Sequence, residues 1–151
     1  MPVAAVETPV GCLGIVEEDG AIVELAWDGA DEGERTPLLD EAVRQMNAYF
    51  AGELTEFDLP LKPRGNEFQQ AVYRQMLAIP YGETRTYGQL AKELDTYGQP
   101  IGQACGMNPI PVIIPCHRVL SANGIGGYSG QGGVEMKIAL LRQEGGYPFL
   151  I

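Results

Sequence analysis

The apolar-rich run from Val10 to Glu17 reads as a strand, and Ala21 to Trp27 as its partner, with Val23, Leu25 and Trp27 alternating with other positions onto one face. Asp19-Gly20 between the two runs has the composition of a tight hairpin turn. After a polar, acidic stretch from Asp28 to Arg35 the period changes: Leu39, Val43, Met46 and Phe50 recur at helical spacing. Thr36 is placed to cap that helix, Pro37 to open it and Gly52 to stop it. The pattern predicts a hairpin plus one helix, a small α+β unit whose role is scaffold.

Glu53 to Gly65, with Pro60 and Pro63, reads as an extended linker. Beyond it Asn66 and Gln69 have the spacing of a capping box, and Phe68, Val72 and Met76 mark the inner face of the helix they start. Pro80-Tyr81-Gly82 makes a turn. Thr86 and Gln89 form a second capping box, with Leu90, Ala91 and Leu94 facing inward. After the turn Asp95 to Gly98, Pro100 begins another short helix that runs to about Met107. Two short helices across a Gly-containing turn are a helix-turn-helix candidate. Val112-Ile113-Ile114 reads as a buried strand, and Pro115 biases Ile114 towards extended backbone. Asn123-Gly124 is a second hairpin signal. Six glycines then fall within Gly124 to Gly133, around Tyr128-Ser129, where backbone can approach a flat ligand closely. Val134, Ile138 and Leu141 predict the inner stripe of a last helix, capped by Gly145.

Composition narrows the function. The chain has 151 residues, 45% of them hydrophobic, enough for one good core or two small ones. No run approaches a membrane span, and Met1-Pro2-Val3-Ala4 lacks the start of a signal peptide. Cys12, Cys105 and Cys116 are odd in number and far apart, and His117 is the only histidine. These features predict a reduced, cytoplasmic protein without a metal. A net charge of −10 argues against nucleic acid until its distribution is considered. Residues 1–60 carry 14 acidic and 2 basic side chains, whereas residues 61–151 carry 6 and 8. Repulsion from phosphate therefore belongs to the first part, and the second can meet DNA with modest, salt-sensitive affinity.

The candidate chemistry sits at Cys116 beside His117. A thiol on a stiff, partly shielded support is either inert or a nucleophile, and a nearby imidazole that takes its proton makes it the latter. Glu144 lies on the last turn of the final helix; position alone reads it as an ordinary exposed glutamate, but a carboxylate there opposes the helix dipole, which hints at a role other than helix stability.

Asn108-Pro109, Pro111 and Pro115-Cys116-His117-Arg118-Val119 together resemble the active-site signature of the O6-alkylguanine-DNA alkyltransferases, the methylated-DNA–protein-cysteine methyltransferases. The resemblance continues through Tyr128-Ser129-Gly130, Lys137, Leu140-Leu141 and Glu144-Gly145. Upstream it takes in Phe68-Gln69, Val72, Pro80-Tyr81-Gly82-Glu83 and Tyr87-Gly88-Gln89-Leu90-Ala91. It implies an α+β protein: a small N-terminal ribonuclease H-like α/β domain, residues 1–60, then a mainly helical winged helix-turn-helix domain, residues 61–151, carrying the active site. The implied activity is irreversible, stoichiometric transfer of the alkyl group from O6-alkylguanine in DNA to Cys116, with O4-alkylthymine as an allied lesion. The implied DNA is entered from the minor groove with the damaged base flipped out. No cofactor and a monomer are implied.

The resemblance also implies roles. Cys116 is the nucleophile and His117 its base, directly or through a water; Glu144 holds the imidazole. Asn108 braces the turn. Tyr87 gives its phenolic proton to the departing base. Ser129 hydrogen-bonds near O6, Tyr128 forms a pocket wall, and the carbonyls of Cys116 and Val119 read the base edge. Arg118 is grouped with the substrate-binding residues. One position departs from the family: nine residues before Asn108, where an arginine fills the space left by the flipped base, stands Gln99. Gln99 implies slow transfer, a preference for single strands or free base, or reliance on Tyr97 as a substitute wedge. The alternative implied by Gln99 is an alkyltransferase-like protein that senses damaged DNA with little or no transfer.

Overall fold

The computed structural model describes residues 2–27, 33–122, 124–126 and 133–146. The chain divides into two compact units, Met1–Arg64 and Gly65–Ile151. Among the described residues no helix is long and apolar enough to cross a membrane.

The first unit is an antiparallel sheet of β1 (Val3–Thr8), β2 (Gly11–Glu18) and β3 (Ala21–Ala26), in that order, with α1 (Pro37–Phe50) packed on β1 and β2. The β2–β3 hairpin turns where expected, with φ of 52° at Asp19 and 78° at Gly20, the left-handed pair that matches strand twist. β1 is an addition to the predicted hairpin. Its core residues are small, Ala4 and Val6 packing inward opposite Ile15 and Leu13, so its sequence lacks the bulky alternation that marks a strand.

Thr36 caps α1, its side chain accepting from the Leu39 amide at 3.1 Å. The stripe that α1 buries is Leu39, Ala42, Met46 and Tyr49, rotated from the predicted one; Val43 and Phe50 are half-buried. Buried Gln45 holds the following segment by two bonds to the Asp58 backbone, at 3.0 and 2.8 Å. Pro60 to Lys62 then runs alongside β3, with Ile22 N–H to Pro60 O and Lys62 N–H to Ile22 O both at 2.8 Å. That pairing ties part of the expected linker into the first unit, which is why this unit extends beyond residue 60.

The second unit comprises α2 (Glu67–Leu77), α3 (Tyr87–Glu93), α4 (Gly98–Gly106), α5 (Gly133–Glu144) and a short parallel pair, β4 (Arg85–Thr86) and β5 (Val119–Leu120). Both capping boxes form reciprocally: Asn66 with Gln69 on α2, and Thr86 with Gln89 on α3. Each box satisfies two helix-end donors that would otherwise lack partners. α4 packs on α2 and α3 through Ile101, Ala104 and Cys105, giving the helix-turn-helix pair.

Two predictions for this unit need correction. Val112-Ile113-Ile114 is buried but is a turn, not a strand. Pro109, Pro111 and Pro115 have no N–H to give a ladder. The chain winds instead, with Ile114 N–H bonded to Ile110 O at 2.9 Å and Val112 held at a φ of 73°. A β-branched residue there is strained. On α5 the buried face is Lys137, Leu140, Leu141 and Glu144, while Val134 is 43% exposed and Ile138 half-buried. Two charged side chains face inward because each finds polar partners there.

Candidate active site

Asn108 shapes the site. Its side-chain oxygen accepts from the Ile110 amide at 3.0 Å, and its Nδ2 donates to Ile114 O at 2.8 Å. This bridge closes the proline-rich turn from within. Pro115, at φ −82° and ψ 69°, then makes an inverse γ-turn, with Cys116 N–H bonded to Ile114 O at 2.8 Å. A single 3-10 turn follows, Cys116–Arg118, so the thiol stands at the start of a rigid turn. Cys116 is 8% exposed and His117 is fully buried.

The turn brings His117 and Arg118 onto Glu144 of α5. His117 Nε2 lies 2.8 Å from Glu144 Oε2. Arg118 donates Nε to Oε1 at 2.8 Å and Nη2 to Oε2 at 3.0 Å, and its Nη1 donates to Ile79 O at 2.7 Å. The always-charged guanidinium against both oxygens keeps Glu144 a carboxylate, which only accepts. Nε2 of His117 therefore carries the ring proton. Nδ1 is buried without a hydrogen-bond partner and is left as the acceptor. Burial pushes the His117 pKa below its usual 6.5, more than the Glu144 bond raises it, so the ring rests neutral. The histidine is thus held in the tautomer and charge state of a base.

Tyr87 opens α3 and is half-buried. Burial, then the neighbouring thiols Cys105 and Cys116, push its phenol up to about 12. Its ring is closely walled. A Cβ on Gly126, at φ 77°, would come within 3.2 Å of Tyr87 Cε2 and 3.1 Å of the Ser121 amide. Gly98, at the start of α4, faces the other end of the side chain. Val119 is buried; its N–H bonds Cys116 O, and its carbonyl accepts Lys137 Nζ at 2.6 Å. Both carbonyls expected to read the base edge therefore already accept one bond inside the protein, and each retains one lone pair.

Cys116, His117, Glu144 and Asn108 thus form one connected group, and Tyr87 is electrostatically coupled to Cys116. Arg118, grouped in the sequence with the substrate-binding residues, is buried with its guanidinium bonded to Glu144 and Ile79 O. Gln99 is exposed on the first turn of α4, preceded by Tyr97, 69% exposed at the N-cap. Tyr128 and Ser129 lie outside the described residues. Sequence reasoning gave no role to Lys137, though its seven-residue spacing from Glu144 puts both on one helix face.

Family models match in two blocks: the ribonuclease-like domain of 6-O-methylguanine DNA methyltransferase over residues 3–63, and its DNA binding domain over residues 67–146. The chain belongs to the 6-O-methylguanine DNA methyltransferase family. A methylated-DNA–protein-cysteine methyltransferase of Mycolicibacterium paratuberculosis is 43% identical over 92% of this chain and 89% of its own. The constitutive one of Bacillus subtilis is 39% identical over 91% and 92%. The Mycobacterium tuberculosis OGT solved in complex with DNA superposes with a TM-score of 0.84, at 41% identity, over 96% of this chain and 93% of that one. The methyltransferase fold is that of the sequence expectation, an N-terminal sheet domain followed by a helical domain.

Proposed function

We propose that this protein repairs DNA by moving the alkyl group of O6-alkylguanine onto Cys116, once per molecule and irreversibly. The observation that carries the reading is the neutral His117 beside Cys116, with Nε2–H on Glu144 and Nδ1 open to a proton. The thiol proton passes to Nδ1, directly or through a water, and Glu144 stabilises the imidazolium. The thiolate attacks the alkyl carbon. A C–S bond forms, the C–O6 bond breaks, and its electron pair leaves with guanine, which takes the Tyr87 phenolic proton. Imidazolium and solvent restore the phenol. The thioether has no leaving path, so the protein is consumed. Asn108 holds the turn, and Ser129, Tyr128 and the Val119 carbonyl would contact the base, which must leave the stack to reach sulfur. The protein acts as a monomer in the cytoplasm, where Cys116 stays reduced; no disulfide joins its cysteines.

Incubation with an oligonucleotide carrying O6-methylguanine should add one methyl group to the peptide holding Cys116. Intact Cys116 under excess substrate would overturn the reading. Gln99, exposed and uncharged where a cation would assist base extrusion, favours a second reading as a damage sensor with weak transfer. In that case wild-type protein binds damaged DNA selectively in a gel shift while its mass stays unchanged.

A further inference from the structure

The transfer chemistry makes no direct use of the Pro80-Tyr81-Gly82-Glu83 motif. It folds as a tight turn, with Glu83 N–H bonded to Pro80 O at 3.0 Å, and it reaches both halves of the carboxylate network. On one side, Arg118 Nη1 donates to Ile79 O at 2.7 Å, and the guanidinium carbon lies 5.8 Å from the centroid of the Tyr81 ring, within cation–π range. On the other, the Tyr81 hydroxyl donates to Gln143 O at 3.3 Å, one residue before Glu144. The end of α5 is a Schellman motif: Gly145 has a φ of 69° and bonds Arg142 O, and Gly146 N–H bonds Leu141 O. That end lies backbone to backbone on the turn. A Cβ on Gly146 would come within 3.1 Å of the Gly82 carbonyl, and one on Gly82 within 3.5 Å of Glu144 O. Packing alone would be met by an apolar side chain; a ring against the guanidinium and a hydroxyl on the helix end together fix the direction of the carboxylate.

We propose that Tyr81 is a positioning residue of the transfer: its turn seats Arg118 and the end of α5 so that Glu144 meets His117 Nε2 and holds the base in its working tautomer. This rests on the transfer reading above. Tyr81 acts through Glu144 and Arg118, the charged groups that face it. Those that face His117 are Glu144 and Lys137 from α5 and Arg118 from its own turn. Burial, then the Glu144 charge, raises the Tyr81 phenol above its usual 10, so it remains a hydrogen-bond donor at neutral pH.

The test needs no DNA. His117 is the only histidine, so a single imidazole titrates in an imidazole-nitrogen NMR spectrum. In the parent it should be the Nε2–H tautomer. In Tyr81→Leu the Nδ1–H tautomer should appear, and the titration should move to lower pH as the Glu144 bond that raises it weakens. Iodoacetamide should then modify the Cys116 peptide about fivefold more slowly at neutral pH, the worth of one hydrogen bond. A merely structural tyrosine would lower the melting temperature and leave the imidazole as it was. An unchanged tautomer and titration in folded Tyr81→Leu would therefore overturn the proposal. If Tyr81→Leu does not fold, Tyr81→Phe decides, since it keeps the ring and loses only the bond to Gln143 O. The titration should move the same way by less, and an unmoved one overturns the proposal. Failure of the transfer reading would show instead as a Tyr81-dependent imidazole beside a thiol that never accepts methyl from DNA.

Discussion

The two units handle charge in opposite ways. The first carries most of the acidic residues and, among the described residues, buries none of them; some stand in exposed pairs such as Arg44 with Glu41 and Arg64 with Glu18. The second is nearly balanced, yet among the described residues every buried ionisable group outside the cysteines and tyrosines is there: His117, Arg118, Lys137 and Glu144. Surface pairs contribute little to stability, whereas a buried charge without its partner is strongly destabilising. A core that accepts such groups gives up stability for chemistry, and that contrast separates scaffold from working domain.

The sharpest way to break the contrast is Cys116→Ala. Methyl acceptance from damaged DNA should vanish entirely by peptide mass, with the thermal midpoint hardly changed, because neither the carboxylate network nor the clamp on Val119 needs the sulfur. Next comes Glu144→Gln. Its single acceptor oxygen cannot serve both His117 and Arg118, and Arg118 is left buried without its counter-charge, so denaturant melts should lose about 3–5 kcal/mol. The matching change in the first unit, Glu41→Gln, removes an exposed pair and should leave the melt unmoved. If the two behave alike, the contrast fails.

Acid gives a smaller, signed effect. The His117 pKa is lowered on folding from 6.5, so below pH 6.5 the unfolded chain binds more protons than the native one. Stability should therefore fall as pH drops from 6.5, and urea midpoints at pH 7.5, 6 and 5 measure it. His117→Asn should flatten that slope. Gly126→Ala should be milder still, destabilising by about 1 kcal/mol or more through positive φ and contact with Tyr87, with slower transfer alongside. The smallest expected gain is a few-fold faster repair of duplex over single-stranded substrate in Gln99→Arg, most visible at low salt.

What could be read in advance was local. Thr36, Asn66 and Thr86 each announce a helix start because the cap and its partner lie within one turn of sequence. The Cys116-His117 pair was legible from adjacency in the sequence, its relation to Glu144 came from the family resemblance, and the structure adds the tautomer. What escaped was set by distant partners. Lys137 and Glu144 face inward only because Val119, His117 and Arg118 wait for them. Val112 to Ile114 has the apolar run of a strand, and only the three prolines around it, read together, say that no ladder can form. Arg118 is indistinguishable from a substrate contact until Ile79 and Glu144 are seen to occupy its guanidinium.

Asn108 has one more consequence, in time rather than space. Asparagines age when the next residue's backbone nitrogen attacks the side-chain carbonyl and closes a succinimide. Here the next residue is Pro109, whose nitrogen carries no hydrogen and cannot close that ring. Conversion to aspartate would replace the donor on Ile114 O with a repelling oxygen and spring the turn under the thiol. A protein spent in a single event must stand ready, unused, until a lesion arrives, and its central brace is chemically protected against that wait.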